Sequence, residues 1–282
     1  MKHVLGGLAF AAVFASLSSG SALAPLSDQQ LSELQNSRIT VVYEPPTLPR
    51  FQALLERLQQ RRVLEDLKAF LSPLRLPRKL VLNTRQCGET NAFYSRTDGL
   101  ILCYEYIEYI ETLAPKDTTP EGFTRQEGIA GAFAEVALHE IGHAVFDIFE
   151  APVFGREEDA ADQLAGFVML QFSKDMTRLA IKGAAYSYLS QESNWAGTKF
   201  SDEHGTQRQR YYNYLCLAYG ADPAVFQDFI DKGLLPRERS VHCQHEYEQV
   251  KRAFSKTVLP FIDQGLMKKV QAVQWIRPDD GK

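Results

Sequence analysis

The chain has 282 residues, in which 31 lysines and arginines stand against 35 aspartates and glutamates. The resulting formal net charge of −4 at pH 7 gives no electrostatic reason to expect nucleic acid or an anionic membrane as a partner. The length suits one domain, or one domain with a helical extension.

The first 24 residues are predicted to be a secretory signal peptide. A short basic start precedes an apolar run at 4–17, and small residues follow up to Ala24. The run is shorter than the ~20 residues that a membrane span needs, and no later stretch is long and apolar enough to cross a bilayer. Cleavage after Ala24 fits the small-residue rule, and Ala22 is the alternative. We therefore expect an exported protein, periplasmic or secreted, with a single domain at 25–282.

Downstream, the hydrophobic pattern predicts an α+β fold in which a small sheet is followed by helices. The strongest turn signal is Thr97-Asp98-Gly99, which lies between two short strand patterns and indicates a β-hairpin. After Tyr104 the pattern is mostly helical, and the part from about residue 171 is predicted to be a helical region of the same domain. In chain order, the predicted elements are a helix at 26–36, a strand at 39–43, a helix at 48–70, a strand at 80–83, hairpin strands at 92–95 and 100–103, a helix within 121–151 and a helix from 157 to 170.

Export permits disulfide bonds, and the four cysteines allow three pairings. We favour Cys87 with Cys103 and Cys216 with Cys243, because each pair joins neighbours in the chain. The first bridge would close the predicted hairpin, and a loop of that size stabilises the fold by ~3 kcal/mol in the chain-entropy model. A cysteine metal site is disfavoured, because the chain has no C-x-x-C spacing.

The most specific motif is the run His139-Glu140-Ile141-Gly142-His143 in the helical pattern within 121–151. Residues four apart lie on the same face of a helix, so both imidazoles can bind one metal ion at ~2.0–2.1 Å. Glu140 lies beside them and can reach a water molecule on the metal without binding the metal. A helical H-E-x-x-H in which the glutamate is the general base is the signature of zinc metalloproteases. The alternative is an amphipathic helix that needs no metal, but two of only six histidines fall in this motif.

The third metal ligand is expected from the next helix. Phe146 and Phe149 occupy the positions where metzincins have a glycine and a third histidine, which excludes that class. Glu158 is the predicted ligand, with Glu157 as the fallback. Stabilisation by the helix dipole explains acidic residues in a first turn, but it does not explain Asp162 on a face that becomes apolar. We expect Asp162 to orient a ligand imidazole through its other ring N–H.

These motifs resemble those of gluzincin peptidases, in which an E-x-x-x-D pattern such as 158–162 follows H-E-x-x-H. The N-A-F segment at Asn91 is similar to a segment of the same group. The closest resemblance is to DUF4344, a family of bacterial proteins regarded as metallopeptidases. The segments that carry it are Cys87-Gly88, Asn91-Ala-Phe-Tyr94, Leu102-Cys-Tyr-Glu105, the motif at 139–143, 155–163, His204, Gln207-Arg208, Cys216 and Cys243.

The resemblance implies a zincin-like fold, in which residues 91–95 form an edge strand beside the active-site helix. An extended peptide substrate can pair with such a strand, although an ordinary strand in a small sheet fits these residues equally well. It also suggests that a downstream residue stabilises the oxyanion of the reaction. His204 is the candidate, with Arg208 and Tyr211 as alternatives. From the sequence alone, a solvated or capping histidine is the slightly favoured interpretation of His204.

The sequence therefore predicts an exported hydrolase with one Zn²⁺ ion bound by His139, His143 and Glu158. Glu140 is the predicted general base, and the substrate is a peptide or protein. Two alternatives remain open. One is a zinc-stabilised binding or scaffold protein without turnover, and the other is an amidase that acts on peptidoglycan peptides.

Overall fold

The computed structural model describes residues 28–191 and 200–275. The predicted signal peptide and its cleavage positions, Ala22 and Ala24, lie outside the described residues. The fold is α+β, as predicted, with one four-stranded sheet and a largely helical remainder. The strands are β1 (Ile39–Tyr43), β2 (Leu80–Arg85), β3 (Ala92–Ser95) and β4 (Gly99–Cys103). The helices are α1 (Asp28–Glu33), α2 (Gln52–Gln60), α3 (Val63–Phe70), α4 (Tyr104–Leu113), α5 (Arg125–Phe149), α6 (Glu157–Met169), α7 (Lys174–Ser190), α8 (Gln207–Ala221), α9 (Gln227–Asp231), α10 (Arg237–Ser240), α11 (Cys243–Thr257) and α12 (Gln264–Gln271).

Strand β3 forms one edge of the sheet. The strand order is β1-β2-β4-β3, in which β1, β2 and β4 run parallel and β3 runs antiparallel to β4. The predicted hairpin is confirmed, and Gly99 at its turn has a φ of +82°. A Cβ at Gly99 would lie 2.3 Å from the carbonyl oxygen of Val81, so the strands approach more closely here than a side chain allows. The edge position of β3 agrees with what the family resemblance implies for residues 91–95.

The predicted helix at 48–70 is wrong as a single element. The chain forms a 3-10 turn at Pro49–Phe51 and then the helices α2 and α3, which are separated by Arg62 with a left-handed φ of 54°. Both helices bury apolar side chains, among them Leu58 and Leu64. Because one left-handed residue turns the chain without interrupting the apolar periodicity, the sequence pattern continues through the break.

Helix α5 is the central element of the fold. It begins with a capping box, in which the hydroxyl of Thr124 accepts from the backbone N–H of Glu127 and the Glu127 carboxylate accepts from the backbone N–H of Thr124. Contrary to the sequence-based expectation, α5 is long and apolar enough to span a membrane by length and composition, but 67% of its most apolar stretch is buried. Burial on this scale is typical of the core helix of a folded domain.

Helices α5 and α7 pack with their backbones in contact. A Cβ at Gly183 of α7 would lie 1.9 Å from the carbonyl oxygen of Glu127 and 2.6 Å from the Cα of Gly131. A Cβ at Gly131 would in turn lie 2.5 Å from the Cα of Gly183. The two glycines therefore set the distance between the helices, and with it the position of the α7 side chains that face the middle of α5.

The structure contains both predicted disulfide bonds. Cys87 and Cys103 join the segment before β3 to the end of β4, with Cα atoms 5.5 Å apart. Cys216 and Cys243 join α8 to the start of α11, with Cα atoms 5.0 Å apart. The first bridge fixes the base of the hairpin that carries the edge strand, and the second holds α8 against the helix that follows it.

We predict that Gly183→Ala lowers the free energy of unfolding by about 2 kcal/mol or more, because its methyl group has no space beside α5. Urea denaturation of the mature chain measures this change. Gly205→Ala is the matched control, since the nearest atom to a Cβ there is Asp159 Oδ1 at 3.5 Å, an ordinary contact. Equal urea midpoints for the two variants would show that the α5–α7 crossing is not tight.

Candidate metal centre

Helices α5 and α6 bring the predicted ligands together. His139 and His143 lie one turn apart on α5, and Glu158 lies in the first turn of α6. The helices approach closely at Gly142, where a Cβ would lie only 3.1 Å from the Cα of Ala161. The glycine inside the histidine motif therefore allows α6 to place Glu158 beside both imidazoles.

The three donor atoms form a compact triangle. Glu158 Oε2 lies 3.0 Å from His139 Nε2 and 3.3 Å from His143 Nε2, and the two Nε2 atoms are 3.2 Å apart. Donors ~2.0–2.1 Å from one tetrahedral ion are separated by roughly 3.3 Å. The triangle therefore has the dimensions of three ligands around a single zinc-sized ion, and two imidazoles with one carboxylate are a donor set that zinc accepts.

The outer nitrogens of both imidazoles are also bound by carboxylates. His139 Nδ1 lies 2.8 Å from Asp162 Oδ1, and His143 Nδ1 lies 2.7 Å from Glu157 Oε1. A carboxylate accepts the Nδ1 proton, so the neutral tautomer leaves Nε2 without one. Two bare nitrogens and the Glu158 carboxylate then face each other, and three acceptors in contact require a cation between them. Glu157 binds the outside of the site and Glu158 faces its centre.

Protons take the place of that cation in the metal-free chain. Burial disfavours the charged ring of His139, but its hydrogen bonds to Asp162 and Glu158 prevail and raise its pKa to about 10. The pKa of His143 is raised against burial in the same way, mainly by Glu158. Burial also opposes ionisation of Glu158, yet its bonds to the histidines hold its pKa well below the usual range. The electrostatics of the cluster therefore favour positive charge at its centre.

A largely buried arginine binds the carboxylate of Asp162, which contacts His139. Arg210 of α8 donates from Nε to Asp162 Oδ2 at 2.7 Å, and Nη2 donates to Asp162 Oδ1, the oxygen that also contacts His139. Burial alone would raise the pKa of Asp162, but the charge of Arg210 lowers it. Glu135, His139 and Asp162 form a second group with donor atoms within 4.8 Å of one another. We assign no metal ion to this group, because the guanidinium of Arg210 already supplies positive charge beside its two carboxylates.

The sequence prediction missed Arg210 and considered two of its neighbours. Tyr211 is a core residue, whose hydroxyl donates to the carbonyl oxygen of Leu234 at 3.2 Å. Arg208 lines the cleft beside the site without belonging to the buried cluster. The sequence did contain a signal for Arg210, which lies on the same helical face as the buried Tyr214. An arginine on a buried face needs an acidic partner.

Glu140 is buried beside the donors and lines a cleft of about 860 Å³. The walls of this cleft come from the start of β3, from α4, α5, α7 and α8, and from residues 200–206. Burial raises the pKa of Glu140 to about 7, although the two neighbouring histidines oppose the shift. The backbone N–H of Tyr94 in β3 is close enough to oppose this rise in the pKa of Glu140, so the edge strand lies beside the site. A second cavity of about 580 Å³, on another face of α5, is lined mainly by apolar side chains and contains none of the donors.

His204 lies at the mouth of the site rather than in a separate loop. Its Nε2 is 2.8 Å from Glu158 Oε2, and its ring stacks on that of His139 with centroids 5.9 Å apart. On the other side, Asp202 Oδ1 accepts from the backbone N–H of His204 at 2.9 Å and lies 3.0 Å from its Nδ1. The bond to Glu158 raises the pKa of His204, and burial opposes it. The sequence favoured a solvated or capping histidine at this position and did not predict the contacts of His204 with Glu158 and His139.

A family model matches residues 43–258, which span both helices of the candidate metal centre and the edge strand. The chain belongs to the DUF4344 family. This family is described as "Putative metallopeptidase". No curated protein and no solved structure matches the chain. The family therefore indicates a metal-dependent peptidase at a general level, and the choice of metal and the roles of individual residues depend on the geometry.

We predict that Glu158→Gln and Glu157→Gln have clearly different effects on metal affinity. Loss of an outer hydrogen bond to a ligand imidazole weakens binding by about 10–100-fold, which is the expectation for Glu157→Gln. Glu158→Gln removes a charged donor and is expected to weaken binding further. Competition with a chromogenic zinc chelator measures both affinities on the purified mature chain. A larger loss in Glu157→Gln would make Glu157 the ligand.

Proposed function

We propose that the chain is an exported, single-zinc metallopeptidase of gluzincin-like arrangement that hydrolyses peptide bonds. The observation that carries the proposal is the triangle of His139, His143 and Glu158, with the buried Glu140 beside it in an open cleft. Membership of a metallopeptidase family supports the reaction class. The two disulfide bonds agree with export, because such bonds persist in oxidising compartments.

In this proposal His139, His143 and Glu158 hold the ion. A zinc ion bound there would lower the pKa of a water molecule and polarise the scissile carbonyl. Glu140 is the general base: it accepts a proton from the attacking water and delivers it to the leaving amine. A carboxyl group whose pKa is raised to about 7 by burial can both accept and release a proton near neutral pH.

The edge strand β3 supplies the place for an extended substrate. A peptide can add to an exposed sheet edge through main-chain hydrogen bonds. Asn91 and Ala92 at the start of this strand line the same cleft as Glu140, and the Tyr94 N–H is close enough to affect the pKa of Glu140, which supports a proposed base beside the strand. A peptide paired with β3 would thus present its backbone next to Glu140.

His204 is the proposed donor to the oxyanion. Asp202 holds its Nδ1, so the ring presents Nε2 toward the centre of the site, where it now contacts Glu158. An N–H at this position can donate to a carbonyl oxygen that gains negative charge during attack. The stacked contact with His139 keeps the ring close to the metal-binding imidazoles.

We predict that Glu140→Gln retains zinc but loses peptide hydrolysis by about 10²–10⁴-fold, because an amide cannot accept the proton of the attacking water. Metal content by atomic absorption and the cleavage of a peptide mixture, followed by mass spectrometry, measure the two effects. Glu248→Gln on α11, outside the cleft, is the matched control.

Unchanged hydrolysis in Glu140→Gln would refute the role of Glu140. Zinc binding by the wild-type chain without any cleavage would instead favour the scaffold protein that the sequence left open. Cleavage confined to purified peptidoglycan would favour the amidase.

We predict that His204→Gln lowers kcat by about 10–10³-fold and changes KM and zinc affinity much less, because the lost hydrogen bond matters most when the oxyanion forms. Steady-state kinetics on one cleaved peptide separate the two constants. His245→Gln, an exposed histidine of α11, controls for the loss of an imidazole. Equal kcat values for both variants would leave His204 outside the reaction.

A further inference from the structure

Glu135 is a buried carboxyl group that the proposed reaction does not use. It lies one turn before His139 on α5, is 3% exposed and lines the cleft. Its Oε1 accepts hydrogen bonds from the hydroxyls of Tyr188 and, at 3.0 Å, Tyr214. Arg210 Nη2 lies 3.8 Å from the same oxygen. Both tyrosine hydrogen bonds and the contact with Arg210 therefore involve the same carboxyl oxygen of Glu135.

The second oxygen of Glu135, Oε2, has no hydrogen-bond partner among the residues that the structure describes. Within residues 28–191 and 200–275, no donor is bonded to Oε2, and this atom is not among the fully enclosed polar atoms. Because Glu135 lines the cleft and Oε2 is not fully enclosed, a ligand in the cleft can approach this oxygen. A carboxylate oxygen in so buried a residue gains free energy from any donor that arrives with a ligand.

The surroundings of Glu135 suit a long side chain with a polar end. Val136 and Tyr106 also line the cleft and provide apolar surface. The hydroxyl of Tyr106 has no hydrogen-bond partner within the described part of the chain. Tyr106 and Glu135 line the same cleft, and burial together with the charge of Glu135 raises the pKa of Tyr106, so the phenol stays protonated near the carboxylate. An alkyl stem can pack on these walls while its charged head reaches the carboxylate.

Of the two carboxylates behind this part of the cleft, Glu135 is paired less closely with a cation than Asp162 is. Glu135 and Asp162 contribute two carboxylates, and Arg210 is the cation between them. Arg210 gives its closest contacts to Asp162, where two of its nitrogens donate. A substrate cation would therefore meet an incompletely balanced Glu135.

We propose that Glu135 is a specificity-determining residue that receives a lysine or arginine side chain of the substrate, next to the scissile bond. This inference rests on the proposed peptidase function and adds a substrate class to it. The occupant donates from its ammonium or guanidinium to Oε2, while Oε1 remains with the two tyrosines. Basic peptides are thus the favoured substrates.

If Glu135 had a purely architectural role, a preference for a basic peptide would survive in Glu135→Gln. Anchoring Tyr188 and Tyr214 needs only Oε1, which a glutamine can keep as an amide oxygen. The amide of Glu135→Gln would then offer an NH2 group to the cleft in place of Oε2, and this group repels a cation instead of binding it. Tyr214→Phe is the matched control, because it removes a bond to Oε1 and leaves Oε2 unchanged.

The test measures binding of two peptides that differ only in one residue, lysine against norleucine. Calorimetry with the full mature chain carrying Glu140→Gln avoids turnover, and it is repeated after treatment with a chelator. We expect the lysine peptide to bind on the order of tenfold or more tightly, as one charge-assisted hydrogen bond implies. This preference should vanish in Glu135→Gln and persist in Tyr214→Phe. Equal binding of both peptides, survival of the preference in Glu135→Gln, or its loss in Tyr214→Phe would overturn the proposal.

Cleavage of a peptide mixture by the zinc-loaded wild-type chain separates this inference from the proposed function. Cleavage sites enriched in lysine and arginine support both. Cleavage without that enrichment overturns the role of Glu135 and leaves the peptidase intact. Absence of cleavage together with a lysine preference in binding overturns the peptidase and leaves the basic-residue pocket intact.

Discussion

The buried ion pair between Arg210 and Asp162 connects three helices to the candidate metal site. Asp162 of α6 accepts from Arg210 of α8 and contacts His139 of α5 through the same carboxylate. Both charges need a partner in this buried position, since removing one partner of a buried ion pair lowers the free energy of unfolding by about 3–5 kcal/mol. The guanidinium also lies over the ring of Tyr188, with its carbon 4.3 Å from the centroid, so α7 joins the same cluster. Orientation of the first imidazole is thereby tied to the packing of the whole helical half.

The sequence predicted those parts of the site that lie within one or two helices. Spacing on α5 identifies both histidines, and the face of α6 identifies Glu158 and Asp162, because helical periodicity fixes which side chains lie together. Arg210 could not be located in this way. It lies 48 residues beyond Asp162, and their contact is produced by the packing of α8 on α6, which no local pattern encodes. His204 was uncertain for a related reason: a loop residue has no periodicity, and its position depends on where α8 begins.

The fold shows the same division between local and distant determinants. The hairpin at Gly99 follows from turn chemistry, and the disulfide bonds follow from cysteines that are neighbours in the chain. The break at Arg62 was missed, because nothing in the composition of 48–70 marks a left-handed residue. Glu135 gave a signal that the sequence analysis did not use: it is an acidic residue on the face of α5 that carries His139 and so could be expected to be buried.

A stripe of four polar residues on α5 carries the proposed pocket, the histidines of the candidate metal site and a contact with the edge strand. Glu135, His139, His143 and Asp147 recur every four residues, so they project from one face of the helix. Each of them is polar in a helix that is otherwise largely buried, and each has an assigned set of partners. At the far end, Asp147 Oδ2 accepts from the hydroxyl of Tyr94 at 2.6 Å, which fastens β3 to the helix. Glu135 lies eight residues before His143 on this face, which is about 12 Å along the helix axis. The proposed pocket at Glu135 is therefore one to two helical turns from the two histidines, a separation that suits recognition of a substrate side chain and not contact with the scissile bond itself.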